Sequence, residues 1–126
     1  MQIDSSLSAA IITRIARAKR IAIGSHRNPD ADTIGSNLAL KEILQAMDKD
    51  VISVCVDPIP TELFFLRQAD QYQATFDPKT TDLYICVDCG SPSQAVFPEK
   101  VPELINHQID IINIDHHASN KNFGTL

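Results

Sequence analysis

The chain has 126 residues, 44% of them hydrophobic and 21% charged, with three cysteines and a formal net charge of −5. That size and balance fit one soluble globular domain with a real core, and no apolar run approaches the length of a membrane span. The odd cysteine count in apolar surroundings argues against a secreted disulfide framework, and the acidic balance gives no general electrostatic reason to hold a long nucleic-acid backbone.

The first twenty residues lack the charged stretch, apolar block and cleavage site of a secretion signal, so a cytoplasmic location is expected. The spacing of Leu7, Ala10, Ile11, Ile15 and Ala18 predicts a helix over 5–19, with Asp4 or Ser5 as its N-cap. A short buried strand over 21–23 runs into Gly24-Ser25-His26, and a polar turn containing Pro29 follows over 27–32. Leu40, Ile43, Leu44 and Met47 repeat at helical spacing and predict a second helix over 33–47. A second strand is expected over 51–56, a short helical turn over 61–66 and an ambiguous strand over 71–76. A third strand over 83–87 runs into Asp88-Cys89-Gly90. A short helix over 99–107, with Val101, Leu104 and Ile105 facing inward, precedes a fourth strand over 109–114 that runs into Asp115-His116-His117. Apolar strands alternating with helices predict an α/β domain with a mainly parallel sheet and helices on both faces. In that architecture ligands bind beyond the carboxyl ends of the strands.

Three of the four strands end in metal-ligand residue types: His26, Asp30 and Asp32 after the first, Asp88 after the third, and Asp115, His116 and His117 after the fourth. In a parallel sheet those ends share one edge. Carboxylates brought that close repel, and without a cation at least one would take up a proton. Mixed aspartate and histidine donors without thiolate favour Mn²⁺, Fe²⁺, Co²⁺ or Mg²⁺. Several carboxylates, one able to bridge, suit a pair of ions roughly 3.5–4 Å apart. Taken singly, Asp30 or Asp32 reads as a helix cap, and His116-His117 reads as a surface pair. The match of three independent strand ends favours a site. His107, inside a helix pattern and near no other ligand type, is given no role.

Cys86 and Cys89 form a CxxC spacing. Residues three apart in a strand point to opposite faces, and no second cysteine pair is present to complete a zinc site. A redox or zinc-knuckle reading is therefore set aside, and Cys55 and Cys86 are expected in the core.

The stretch from Ser25 to Ser36, with His26, Asp30 and Asp32 followed by Gly35-Ser36, resembles the first motif of the DHH phosphoesterase superfamily. Val87-Asp88 resembles the second motif, and Asp115-His116-His117, continued by Ser119-Asn120, resembles the third. The three stand in the family's order across nearly the whole chain. The wording of the first motif and the Asp57-Pro58-Ile59-Pro60 segment are most similar to the RecJ-like group of bifunctional oligoribonucleases and pAp phosphatases.

The resemblance implies a Rossmann-like three-layer domain. It also implies metal-dependent hydrolysis of short oligoribonucleotides or 3′-phosphoadenosine 5′-phosphate (pAp) by two-metal activation of water. By position, His26 and Asp30 would hold one divalent ion, Asp32 and His116 the other, and Asp88 would bridge them, with Mn²⁺ the expected metal. His117 would contact the scissile phosphate and Asp115 would orient a histidine. Gly35 would allow close approach at the helix start, and Ser36 would be structural. Manganese-dependent inorganic pyrophosphatase and a non-catalytic metal- or nucleotide-binding module are the alternative readings. The expected partner is a small nucleotide or short RNA and not a membrane, and a homodimer of the full-length protein stays open. The family's fourth motif, an aspartate, and its C-terminal substrate-gripping domain have no counterpart in these residues. Residues 1–126 are thus expected to be a partial N-terminal domain, its sheet incomplete at the C-terminus, with little turnover alone.

Overall fold

A computed structural model describes residues 4–94 and 98–126. Seven regular elements follow in order: α1 (Ser5–Arg17), β1 (Arg20–Gly24), α2 (Ala31–Ala46), β2 (Asp50–Val54), β3 (Leu83–Val87), α3 (Val101–Asn106) and β4 (Asp110–Ile114). The four strands form one sheet in the order β2-β1-β3-β4, every neighbouring pair parallel. The expected α/β class is therefore observed.

Alternation within the strands makes the layers. Ile21, Ile23, Leu83, Ile85, Val87 and Ile112 pack with Ile11 and Ile15 of α1 and Leu44 of α2 on one face. Ala22, Tyr84, Cys86 and Ile111 pack with Phe76 and with Leu104 of α3 on the other. Ile23, Ile85 and Ile112 are fully buried, and each such side chain stabilises the fold by about 1.5–3 kcal/mol. Among the described residues no helix is long and apolar enough to cross a membrane.

Register decides where the strand ends fall. Gly24 pairs with Val54 on one side and Cys86 on the other, and Val87 pairs with Ile114. The segments beginning at Ser25, Asp88 and Asp115 consequently leave the sheet at the same edge. The strand order reverses between β1 and β3, and a crevice opens at such a switch point in open parallel sheets.

Several boundaries differ from the sequence expectation. The helix expected over 33–47 starts at Ala31, because the Asp30 carboxylate accepts hydrogen bonds from the backbone N–H groups of Asp32 (3.0 Å) and Thr33 (3.1 Å). Its buried face is Thr33, Ile34, Asn37, Leu38, Lys41 and Leu44, while Ile43 and Met47 are exposed. Three polar residues on the inner face, Thr33, Asn37 and Lys41, obscure the hydropathy pattern. Asn37 is accommodated because its amide donates to the Ile23 carbonyl (2.9 Å) and Ser25 Oγ (3.0 Å) and accepts from Ser53 Oγ (2.6 Å).

The ambiguous strand over 71–76 reduces to one bridge between Gln73 and Val54. The chain then turns Phe76 inward, where it stacks on Tyr84. In α3, Val101 and Leu104 share a face, but Ile105, a further 100° round, points to solvent and is exposed.

Of the two glycines at the ends of the first motif, Gly24 is under steric demand and Gly35 is not. A Cβ at Gly35 would meet no atom within 4 Å, so no protein atom uses the close approach expected there. A Cβ at Gly24 would collide with the Tyr84 hydroxyl. Tyr84 is buried and held by its stack on Phe76, with ring centroids 5.0 Å apart, so it has little room to retreat. Gly24→Ala is expected to cost about 1–3 kcal/mol of stability, as overpacking does. The midpoint of denaturant unfolding measures this, and an unshifted midpoint would show that Tyr84 moves aside.

Candidate metal centre

All seven sequence-predicted site residues lie at the carboxyl edge of the sheet. His26 follows β1. Its Nδ1 donates to the Arg27 carbonyl (2.7 Å), which leaves the Nε2 lone pair free to face outward. That Nε2 stands 3.7 Å from Asp30 Oδ1 and 3.5 Å from Asp88 Oδ2. Asp30 is thus both the cap of α2 and a member of the cluster, two roles that sequence reasoning treats as alternatives. The cap uses Oδ1 and leaves Oδ2 available.

Asp88 occupies the centre. It has a positive φ of 56°, which turns the chain sharply as it leaves β3; aspartate tolerates this conformation better than most residues. Its N–H is held by the Ile114 carbonyl at 2.9 Å. One carboxylate oxygen faces His26. The other lies 3.1 Å from His116 Nε2 and 3.7 Å from His117 Nδ1. Two potential donor groups result, His26-Asp30-Asp88 and Asp88-His116-His117, and Asp88 belongs to both. Asp32 joins the second side, with Oδ2 at 3.5 Å from His116 Nε2.

Electrostatics follow from burial and like charge. Desolvation first, then repulsion by Asp32, holds the Asp88 carboxyl above its ordinary pKa, with the histidines opposing. Four carboxylates and three imidazoles without thiolate suit borderline-hard divalent cations, so the side chains present fit the metal the motifs imply. A cleft of about 430 Å³ adjoins the cluster, lined by Asp32, Ser36, Leu40, Val87, Asp88, Ile114, Asp115 and His116.

His117 differs from the other two histidines. Its Nδ1 donates to Asp115 Oδ1 at 2.6 Å, which leaves Nε2 outward. The Asp115 side chain has no exposed surface and also accepts from Asn120 Nδ2 at 2.8 Å. Burial would raise the Asp115 pKa, but the bonds from His117 and Asn120 outweigh it and the net shift is downward. The hydrogen bond to Asp115 in turn raises the pKa of His117.

Sequence reasoning gave no site role to Thr33, whose Oγ1 donates to the Val87 carbonyl (3.3 Å), or to Asn37. Both tie α2 to the strand ends that carry the cluster, and a polar residue on an inward helix face is the only signal of either. Cys86 is in the core as expected, but Cys86 and Cys89 do not face opposite ways. The turn at Asp88 brings Cys89 back into the same packed cluster as Cys86, where the Cys89 thiol donates to the Ser91 carbonyl at 3.3 Å. The opposite-face argument fails because the strand ends between the two residues. Both thiols are buried. His107 is exposed at the end of α3, outside the cluster.

The chain resembles known proteins along most of its length. Residues 20–125 match the model for the N-terminal domain of the DHH family. The bifunctional oligoribonuclease and PAP phosphatase NrnA of Thermus thermophilus is 37% identical over 108 residues, covering 84% of this chain and 30% of that protein. The cyclic-di-AMP phosphodiesterase PdeA of Listeria monocytogenes is 24% identical over 131 residues, covering 93% of this chain and 19% of that protein. The crystal structure of an exopolyphosphatase-related protein from Bacteroides fragilis superposes with a TM-score of 0.87 at 25% identity, covering 98% of this chain and 38% of that one. The chain thus spans about a third or less of the curated relatives it matches. The family match over residues 20–125 and the 37% identity to a curated relative place this chain in the DHH family.

Proposed function

We propose that this chain supplies the metal-binding half of a phosphoesterase site that hydrolyses short oligoribonucleotides, pAp, or both. The observation that carries the reading is the position of Asp88, whose two oxygens face His26 on one side and His116 on the other. A carboxylate so placed suits a bridge between two ions. His26 and Asp30 would complete one shell, and Asp32 and His116 the other. Bound there, two divalent cations, Mn²⁺ first among them, would polarise the phosphoryl group and lower the pKa of a water so that it could lose a proton and act as the hydroxide nucleophile.

The chain's own groups supply orientation and a proton. Asp115 fixes the ring of His117 and favours its protonated form, so His117 Nε2–H can donate to a phosphate oxygen or the departing oxygen. The imidazolium offsets developing negative charge without competing for metal, since its Nδ1 is occupied by Asp115. The apolar side of the cleft, Leu40, Val87 and Ile114, limits water around the phosphate. Residues 1–126 would then be a partial N-terminal DHH domain of a cytoplasmic protein, working with a fourth-motif aspartate and a substrate-gripping domain.

The substrate ranking rests on the likeness to NrnA. The full-length protein that contains this domain is expected to release phosphate or nucleotide from pAp or very short RNA faster than phosphate from pyrophosphate. A side-by-side assay with Mn²⁺ measures the three rates. A preference for pyrophosphate would reverse the ranking while leaving the metal centre in place.

A further inference from the structure

A second cavity, of about 480 Å³, lies beyond the carboxyl end of β2, beside the metal cluster and not within it. Its size is within the range of about 300–1,000 Å³ typical of small-molecule sites. Its walls include Pro58, Ile59, Phe64 and Tyr72, with the polar groups of Asp57 and Gln73 at the edge. Much of it is built by the connection over 55–82, which contains three short 3₁₀ turns and no strand. Long irregular connections in compact domains are frequently functional.

Three contacts join this cavity to the loop that carries His26. The Asn28 N–H donates to Asp57 Oδ2 at 2.9 Å, and the Cys55 thiol donates to the His26 carbonyl at 3.4 Å. The Tyr72 hydroxyl is 3.0 Å from Ser25 Oγ. These contacts tie one wall of the cavity to the loop that carries His26.

We propose that this cavity is a base-binding subsite, which receives the aromatic base of the nucleotide whose phosphate lies at Asp88 and His117. The inference rests on the phosphoesterase reading above. Phe64 lines the cavity and is 48% exposed, which leaves ring surface free, as base stacking requires. Ile59 and Pro58 offer further apolar contact. Asp57 Oδ1 makes no hydrogen bond among the described residues, and an unpaired carboxylate oxygen at the rim suits the exocyclic amine of adenine, cytosine or guanine. Uracil presents no such amine, so an amino-bearing base should be preferred.

The test is calorimetric titration of the Mn²⁺-loaded chain with adenosine 5′-monophosphate, uridine 5′-monophosphate and ribose 5-phosphate. Phe64→Ala serves as the variant, since it removes an exposed ring outside the metal centre. Base stacking predicts that the adenosine nucleotide binds at least about tenfold tighter than ribose 5-phosphate, with the uridine nucleotide between. Phe64→Ala should close the gap while leaving the affinity for ribose 5-phosphate unchanged. Equal affinities in the wild-type chain, or a gap that survives Phe64→Ala, would overturn the base subsite and leave the phosphate site standing. Failure of all three ligands to bind the metal-loaded chain would also overturn the subsite, whereas the phosphoesterase reading falls only if the full-length protein hydrolyses none of pAp, short RNA and pyrophosphate with Mn²⁺.

Discussion

Asp88→Asn is expected to lower Mn²⁺ affinity more than about a hundredfold and to reduce the number of ions bound. Loss of a partner that only orients a ligand already costs about 10–100-fold, and Asp88 is the one carboxylate placed to serve both halves of the centre. An amide offers a single carbonyl oxygen and turns an NH₂ toward one of the histidines. Calorimetric titration with Mn²⁺ measures both affinity and stoichiometry, and unchanged values would remove Asp88 from its proposed place.

The same variant should affect stability in the opposite direction. The folded Asp88 carboxyl has a raised pKa, from burial and then from Asp32. A raised carboxyl favours the metal-free fold below the unfolded value near 3.8. That contribution is lost as pH rises through the folded pKa. At neutral pH the charged Asp88 therefore strains the metal-free protein, and Asp88→Asn should match or exceed the wild-type melting temperature when metal is chelated. A melting temperature that falls in chelator would show that the carboxylate has a structural role instead.

His117→Gln should reduce kcat/KM of the full-length protein by about 10²–10⁴, the usual range for a positioned acid or base. Metal binding should be nearly unchanged, because the ring is oriented by Asp115 and not by a metal. Asp115→Asn should have a smaller effect, about 10–100-fold, since it acts through the histidine. The pH profile separates these roles. His117 has a raised pKa because of its bond to Asp115, so its protonated form persists above its ordinary value of 6.5. Its contribution is complete at lower pH and is lost as pH rises through that raised pKa. Asp115→Asn should move this basic limb of the kcat/KM profile toward lower pH. A limb that stays in place, or metal affinity lost together with activity in His117→Gln, would assign His117 to the metal instead.

The strand ends were legible because a buried parallel strand is a short apolar run, and the residue after it is conspicuous when it is polar. His26, Asp88 and Asp115 each follow such a run. Once the strands are taken as parallel, their shared edge follows without further information. The convergence of all seven site residues therefore rests on local pattern and one topological rule.

Other features depend on neighbours distant in sequence. Hydropathy placed Ile43 and Met47 inward, but α2 turns its Asn37 face to the sheet, because Ser53 and the Ile23 carbonyl there satisfy the amide. Gly24 and Gly35 look alike in the chain. Only packing shows Tyr84 lying over the first and open space beside the second. The spacing of Cys86 and Cys89 likewise misleads, because the positive φ of Asp88 ends the strand between them.

The amino-acid sequence by itself determined the α/β class and the ligand types at the sheet edge, since short apolar runs, helical spacing and strand-end polarity are local properties. Tertiary structure alone decided which oxygen of Asp88 faces which histidine and that Asp30 both caps α2 and joins the cluster. It alone decided, too, that Asp115 holds His117 by Nδ1. Those relations are distances of a few ångströms between separate segments, and they exist only when register and packing bring the segments together.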